Sequence, residues 1–180
     1  MILTRSPPMK LTPAKEKFIL HWGEMGTKWG INRTVAQIHA LLHISAQPLT
    51  AEEIADTLDV ARSNVSNSLK ELQNWGIVKV VHVMGDRRDH FESIHDIWIL
   101  FQTIMDERKR REMDPTAAVL RECVTAAKDE GDELATRRLA ELADFVDTMS
   151  GWYTQLRKLP PGGWKQLAKM GGAMGKLLGK

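Results

Sequence analysis

Apolar residues recur at spacings of three and four over most of the chain, which predicts helices, and only one stretch is typical of strands. Thr50 followed by Glu53 forms a capping box, so a helix is predicted to begin at Thr50. The next helix ends at Gly76 and places three apolar residues on one face: Val65, Leu69 and Leu72. Two short helices are therefore predicted between Thr50 and Gly76.

A hairpin is predicted directly after these two helices. Ile77 to Met84 is rich in β-branched residues and predicts a strand, and residues 85–89 predict a turn. His90 to Ser93 then predicts the returning strand. Helix, helix, strand, turn and strand is the order of a winged helix-turn-helix. The predicted fold class is mainly α with a small β-hairpin wing, followed by long C-terminal dimerisation helices.

The outer face of the second helix carries the first candidate function. It presents short polar groups and few charges: Arg62, Ser63, Asn64, Ser66, Asn67 and Lys70. Such amides and hydroxyls can read base edges in a major groove, whereas an ordinary solvated face is usually rich in Lys and Glu. Arg87 and Arg88 lie at the turn of the hairpin, where they are either solubilising charges or contacts to a minor groove. We favour DNA contact for both surfaces.

Two helices are predicted before this region. Thr12 and Pro13 predict the start of the first, and Asn32 predicts the start of the second. Three glycines lie between them, so the first helix is predicted to be short or bent: Gly23, Gly26 and Gly30. Residues 1–93 are therefore taken as N-terminal helices plus a DNA-binding domain.

Residues 94–159 are predicted to be helical and to form the dimerisation region. A helix from about Ile94 is expected to finish at the basic run 108–111, and Asp114-Pro115 is expected to begin another. The last helix places five large apolar residues along one seam: Leu142, Phe145, Met149, Trp152 and Leu156. A second copy of the chain is the predicted partner for this seam.

Residues 160–180 are rich in Gly and Lys and are predicted to be a disordered basic tail, in which Trp164, Leu167 and Leu177 could dock.

Composition and charge qualify these predictions. The formal net charge is only +2, and residues 50–93 contain five Lys or Arg against eight Asp or Glu. DNA binding is thus not supported by overall charge, and the basic run 108–111 is explained equally well by phosphate contacts or by a helix C-terminus. No apolar run reaches the roughly 18 residues of a membrane span, no signal-peptide core is present, and a cytoplasmic protein is expected.

Candidate catalytic and metal chemistry is sparse. His39 and His43 have a spacing that can hold a metal, but no third ligand is nearby in sequence, so core or interface histidines are favoured. Cys123 lies among Ala and Val, and an inert buried thiol is favoured over a redox switch. Neither a nucleophile with its base nor a phosphate loop is recognisable. We therefore predict neither an enzyme nor a cofactor.

Three stretches together resemble the GbsR branch of the MarR-type transcriptional regulators: FILHWGEMGTKWGINRTVAQIHALL, ARSNVSNSLKELQNWG and VHVMGDRRDHFES. The resemblance covers about residues 15 to 158. It implies a homodimer that binds a pseudo-palindromic operator on double-stranded DNA and often releases it when a small effector binds. The long last helices depart from typical MarR proteins, so the effector pocket of the wider superfamily is not carried over.

The association of GbsR-like proteins with osmoprotectants directs attention to the tryptophans. Trp22, Trp29 and Trp98 lie near the junction of the two predicted regions, and a quaternary ammonium effector held by cation–π contacts is one interpretation. Core tryptophans are the other. The predicted function is a dimeric, sequence-specific DNA-binding transcriptional regulator; repression is favoured over activation, and the sequence leaves open whether an effector controls it. The alternative, which the acidic excess favours, is a winged-helix protein-interaction module without specific DNA binding.

Overall fold

The computed structural model describes residues 10–160 together with residues 163, 164, 166 and 170. The chain divides into two compact units between Asp96 and Ile97. In its described residues, the first unit contains four helices and three strands in this order: α1 Pro13–Lys28, α2 Arg33–Ile44, β1 Leu49–Thr50, α3 Ala51–Leu58, α4 Arg62–Asn74, β2 Val78–Val81 and β3 His90–Ser93. The second unit is helical: α5 Ile97–Arg108, a π-helical turn Lys109–Met113, α6 Asp114–Asp129 and α7 Glu133–Arg157. In the described part of the chain, no helix is both long and apolar enough to cross a membrane.

Helix α1 is continuous, so the prediction that its glycines shorten or bend it is wrong. Gly23 and Gly26 are buried, and α1 packs against α2. A Cβ atom on Gly26 would lie 2.5 Å from Cβ of Ala36, and one on Gly23 would lie 2.7 Å from Cγ of Gln37. These glycines are therefore required by the close approach of two helices and not by a change of backbone direction.

The helix-turn-helix forms as predicted. The Thr50 hydroxyl accepts the Glu53 N–H at 3.3 Å, and the Glu53 carboxylate accepts the Thr50 N–H at 2.8 Å. Asp59 ends α3 in the left-handed region with φ of 52°, and Gly76 follows α4 with φ of 69°. The buried face of α4 is the predicted one, and it packs against elements that contribute fully buried residues to the core: Ile38, Leu41, Leu42 and Ile54.

The wing is a three-stranded antiparallel sheet in the order β1-β3-β2. Val81 pairs with His90 and Val78 pairs with Ser93, so β2 ends at Val81 and not at Met84. Residues 82–84 lie beyond the first residue of β3 and have no strand opposite them. The short β1 was not predicted, because two residues carry too little pattern. The N–H of Ile94 donates to O of Ile77, so α5 begins at Ile97 instead of near Ile94.

The second unit stays helical through the basic run, and the predicted break before Asp114 is wrong. Pro115 offers no N–H, and the wider π-helical turn immediately before α6 absorbs this loss without ending the helix. Gly131, with φ of 73°, then reverses the chain into α7. Helices α6 and α7 pack on each other through an apolar cluster: Met113, Ala117, Leu120, Leu139, Ala143 and Val146.

Two side chains of this unit differ from the predictions made for them. Cys123 is exposed, not buried, because it lies at the edge of the α6 face that buries Ala117, Leu120 and Ala127. Trp164, placed in a disordered tail by prediction, is buried with its ring 5.9 Å from that of Phe101 and 6.1 Å from that of Tyr153. Leu167 and Leu177 lie outside the described residues.

The contact at Gly26 generates a stability prediction. Gly26→Ala should lower the free energy of unfolding by about 1–3 kcal/mol, because the new methyl group overlaps Ala36. Gly151, inside α7, is the matched control, since a Cβ there meets no atom within 4 Å. Gly151→Ala should instead be neutral or stabilising by up to about 1 kcal/mol, as helix propensity requires. Denaturant unfolding at equal protein concentration measures both, and equal effects of the two variants would contradict the assignment.

Candidate nucleic-acid interface

The outer face of α4 is exposed along its length. Five polar side chains project from it into solvent: Ser63, Asn64, Ser66, Asn67 and Lys70. Within the described residues, none of these side chains makes a hydrogen bond or ion pair. Burial of Val65, Leu69 and Leu72 on the opposite face fixes the rotation of the helix about its axis. The structure therefore presents a rigid row of amide and hydroxyl groups whose hydrogen-bonding capacity is unused.

The wing turn is organised by Asp86. Its Oδ1 accepts hydrogen bonds from the backbone N–H and the side-chain Nε–H of Arg88, each at 3.0 Å. These hydrogen bonds, first of all that from the guanidinium, hold the pKa of Asp86 well below its usual range and raise the pKa of Arg88. His90 adds a contact from Nε2 to Oδ2 of Asp86 at 3.6 Å. The side chain of Arg88 is thus directed toward Asp86, within the same turn.

Arg87 differs from its neighbour. It is exposed, and within the described part of the chain it makes no ion pair. The sequence placed both arginines at the wing tip without distinguishing them. In the structure Arg88 shapes the turn, while Arg87 is the wing cation that is available to a partner.

Glu52 joins three separate segments of residues 50–93, which we call the winged unit, and it was not identified from the sequence. Its Oε1 lies 2.7 Å from Nη2 of Arg62, and its Oε2 lies 3.7 Å from Nη1 of Arg88. Glu52 belongs to the first turn of α3, Arg62 begins α4, and Arg88 lies in the wing. No spacing in the sequence links these residues, because only the folded turns bring them together.

The histidines hold structure and show no metal geometry. His39 is buried, and its Nε2 lies 3.2 Å from the hydroxyl of Ser93, which ties α2 to β3. Burial, with a smaller contribution from His43, lowers the pKa of His39 to about 4. The Nδ1 atom of His43 lies 3.2 Å from O of Ile94. In the described ranges no three His, Cys, Asp or Glu residues converge as metal ligands.

The basic run is neutralised inside its own helices. Arg108 pairs with Glu112 at 3.2 Å, and Lys109 pairs with Asp114. Arg110 and Arg111 both reach Glu107. The predicted helix C-terminus at this run is wrong, because the chain stays helical through Met113, and these basic side chains are paired with carboxylates of the same helical stretch.

The predicted seam of α7 is largely exposed. Exposure reaches 61% for Phe145 and 57% for Trp152; Leu142 and Met149 are also exposed, and Leu156 is half-buried. The flanking residues Leu139 and Val146 instead face α6. Helix α7 thus has one apolar face that packs within the unit and another without a partner in the chain.

Two of the three candidate effector tryptophans lie side by side. The rings of Trp22 and Trp29 stand edge to face at 6.1 Å, and Phe18 lies 5.5 Å from Trp22. Trp29 is 53% exposed, so it is not a core residue. Trp98 belongs to the second unit.

Comparison with known proteins finds similarity to transcriptional regulators. The MarR family model matches residues 29–89, which include α2, the helix-turn-helix and most of the wing. The chain is 21% identical over 136 residues to the HTH-type transcriptional repressor GbsR of Bacillus subtilis (strain 168), covering 73% of this chain and 75% of that protein. It is 22% identical over 168 residues to the putative HTH-type transcriptional regulator YvaV of the same organism, covering 86% of this chain and 91% of that one.

A solved structure shows the same fold. The crystal structure of a transcriptional regulator superimposes with a TM-score of 0.69 at 21% identity, covering 86% of this chain and 99% of that chain. The mainly helical architecture with a small antiparallel wing is therefore the winged-helix fold that the sequence predicted.

Proposed function

We infer that this chain, whose residues 29–89 form a MarR-family winged-helix domain, is a transcriptional regulator that binds a pseudo-palindromic DNA operator as a homodimer. MarR-family regulators of this kind are DNA-binding proteins and not enzymes. One relative is named a repressor, and repression is the direction of control that we propose here.

The exposed polar face of α4 is the observation that carries the proposal. Asn67 and Lys70 project from the middle of a helix whose other face is locked in the core. An α-helix fits the major groove of B-DNA, where an Asn amide can pair with adenine and a Lys can reach guanine or a phosphate. The side chains Ser63, Asn64 and Ser66 extend the same surface toward the start of the helix. We propose that α4 reads the operator.

The wing supplies a different kind of contact. Arg87 is exposed and free of ion pairs in the described residues, and a minor groove attracts arginine through its width and negative potential. A·T and T·A pairs look alike from that groove, so the wing contributes affinity and little sequence information. Arg88 supports Arg87 by holding the turn against Asp86.

The protein-interaction module remains the second candidate function. It is favoured by the excess of acidic residues in the winged unit and by the engagement of Arg62 and Arg88 with carboxylates. The two functions differ in how affinity depends on salt. Phosphate contacts release counterions, so the affinity for DNA falls steeply as salt is added, whereas affinity for a protein partner through a surface of mixed charge does not show this steep fall.

Two substitutions separate base reading from phosphate and groove contact. Asn67→Ala should weaken operator binding by roughly 1–3 kcal/mol and relax preference at one base position per half-site. Arg87→Ala should weaken binding to operator and random duplexes alike, and should flatten the salt slope by about one unit per subunit. The operator itself comes from sequence selection on random DNA.

The control for charge is Arg138→Ala, which removes an exposed arginine of α7 in the other unit. Salt titrations on both duplexes measure all three variants. If Arg87→Ala leaves the salt slope unchanged, the wing does not contact DNA. Wild-type binding that does not depend on salt concentration would favour the protein-interaction module.

We propose that the exposed face of α7 is the dimer seam. Large apolar side chains recur there at spacings of three and four, and each stabilises a contact by roughly 1.5–3 kcal/mol when fully buried. A face this apolar on a helix whose other face is already packed requires a second surface, and a two-fold pseudo-palindrome requires two copies.

Phe145→Asp should therefore produce monomers that bind operator poorly, because a charge is placed in the middle of the seam. Ala140→Asp adds the same charge on a different, exposed face of α7 and should leave the dimer intact. Sedimentation velocity reports the oligomeric state of both variants. A Phe145→Asp protein that sediments as the wild type would rule out this seam.

The tryptophan pair of α1 is the proposed effector surface. Trp29 presents half of its surface to solvent beside Trp22, and a quaternary ammonium cation over such a ring gains about 0.5–2 kcal/mol. Choline or betaine at millimolar concentration should then change tryptophan emission and weaken operator binding. Trp29→Leu should abolish both responses while leaving operator affinity in the absence of ligand unchanged. If the wild type shows neither response, the tryptophans have no effector role of this kind.

A further inference from the structure

Acidic and basic side chains from α3, α4 and the wing turn meet in one charge cluster. Two guanidinium groups, those of Arg62 and Arg88, meet two carboxylates, those of Glu52 and Asp86. Asp86 is bound within the wing turn itself, where it shapes the backbone through the N–H of Arg88. Glu52 comes from another element, α3, and makes no comparable backbone contact with the wing. The two carboxylates therefore have separate roles.

The Glu52 carboxylate pairs with Arg62 and lies near Arg88 without reaching hydrogen-bond distance of it. Its carboxylate holds Arg62 at 2.7 Å and lies 3.7 Å from Arg88. The side chain of Arg62 is 68% exposed and that of Glu52 is 39% exposed, so their ion pair is reached by solvent and is readily exchanged. Arginine binds carboxylate and phosphate with the same forked geometry, and either anion satisfies it.

We propose that Glu52 restrains binding to random DNA by competing with backbone phosphates for Arg62. This inference rests on the proposed function. Non-specific binding consists almost entirely of phosphate contacts by Lys and Arg, so an internal carboxylate paired with Arg62 acts directly on it. The winged unit has few other cations to compensate, because acids outnumber bases between residues 50 and 93. Glu52 is therefore a specificity-determining residue that acts through Arg62.

Glu52→Gln tests the proposal on a short mixed-sequence duplex, for which no operator needs to be known. Glutamine keeps the size of the side chain and leaves the Thr50–Glu53 capping box in place. The variant should bind this duplex about fivefold more tightly, since one exposed ion pair no longer has to be exchanged. Its salt slope should become steeper by about one unit per subunit, because a freed arginine adds a phosphate contact.

Glu24→Gln is the matched control, because it removes the same charge from an exposed position on α1. A second control places Glu52→Gln in a protein that also carries Arg62→Gln and Arg88→Gln. In that background Glu52→Gln should have no larger effect than Glu24→Gln, whereas a general effect of charge would persist.

The outcomes separate the two levels of inference. Wild-type protein that binds no duplex in a salt-dependent manner overturns the proposed function itself. Wild-type protein that binds, with Glu52→Gln and Glu24→Gln indistinguishable in affinity and salt slope, overturns only the role of Glu52. Circular dichroism of each variant verifies that the helices are intact, and a persistent effect in the double-arginine background also contradicts the proposal.

Discussion

The packing of one face of α4 into the core of the first unit is the constraint on which the candidate interface depends. Val65, Leu69 and Leu72 are almost fully buried, and the helix cannot rotate without exposing them. Removing one such side chain from a core typically costs about 2–5 kcal/mol, which is a large share of the stability of a domain. The polar side chains on the opposite face are therefore held in one orientation before any partner arrives. Rigid presentation of this kind reduces the entropy lost on binding.

The electrostatics of the winged unit modify this picture. A DNA-binding surface is commonly expected to carry a positive field, yet here two of its arginines are engaged with carboxylates from α3 and the wing turn. The uncommitted groups are the short polar side chains of α4, together with Lys70 and Arg87. Under the proposed function, this surface relies on hydrogen bonds to base edges more than on attraction to phosphates. That balance suits discrimination between sequences better than tight binding to any duplex.

The second unit solves a different physical problem with the same residue types. The side chains of its basic run form ion pairs with neighbouring carboxylates around the π-helical turn, although such a run could also bind phosphates. Its last helix divides apolar residues between two faces, one packed on α6 and the other exposed. Each unit thus keeps one face for its own stability and leaves another with its bonding or burial capacity unused.

Local rules determined much of the structure from sequence alone. The capping box at Thr50, the three-and-four spacing of α4, Gly76 and the returning strand at His90 act within a few residues, and each appears as predicted. Contacts between distant segments were decided only by the tertiary structure. Gly23 and Gly26 resemble helix breakers until α2 is packed against them. Arg87 and Arg88 are equivalent in the sequence, and they become different only when Asp86 and Glu52 select one of them. The reason is physical, because a spacing rule describes one helix or turn, whereas an ion pair or a close helix contact depends on where another element lies.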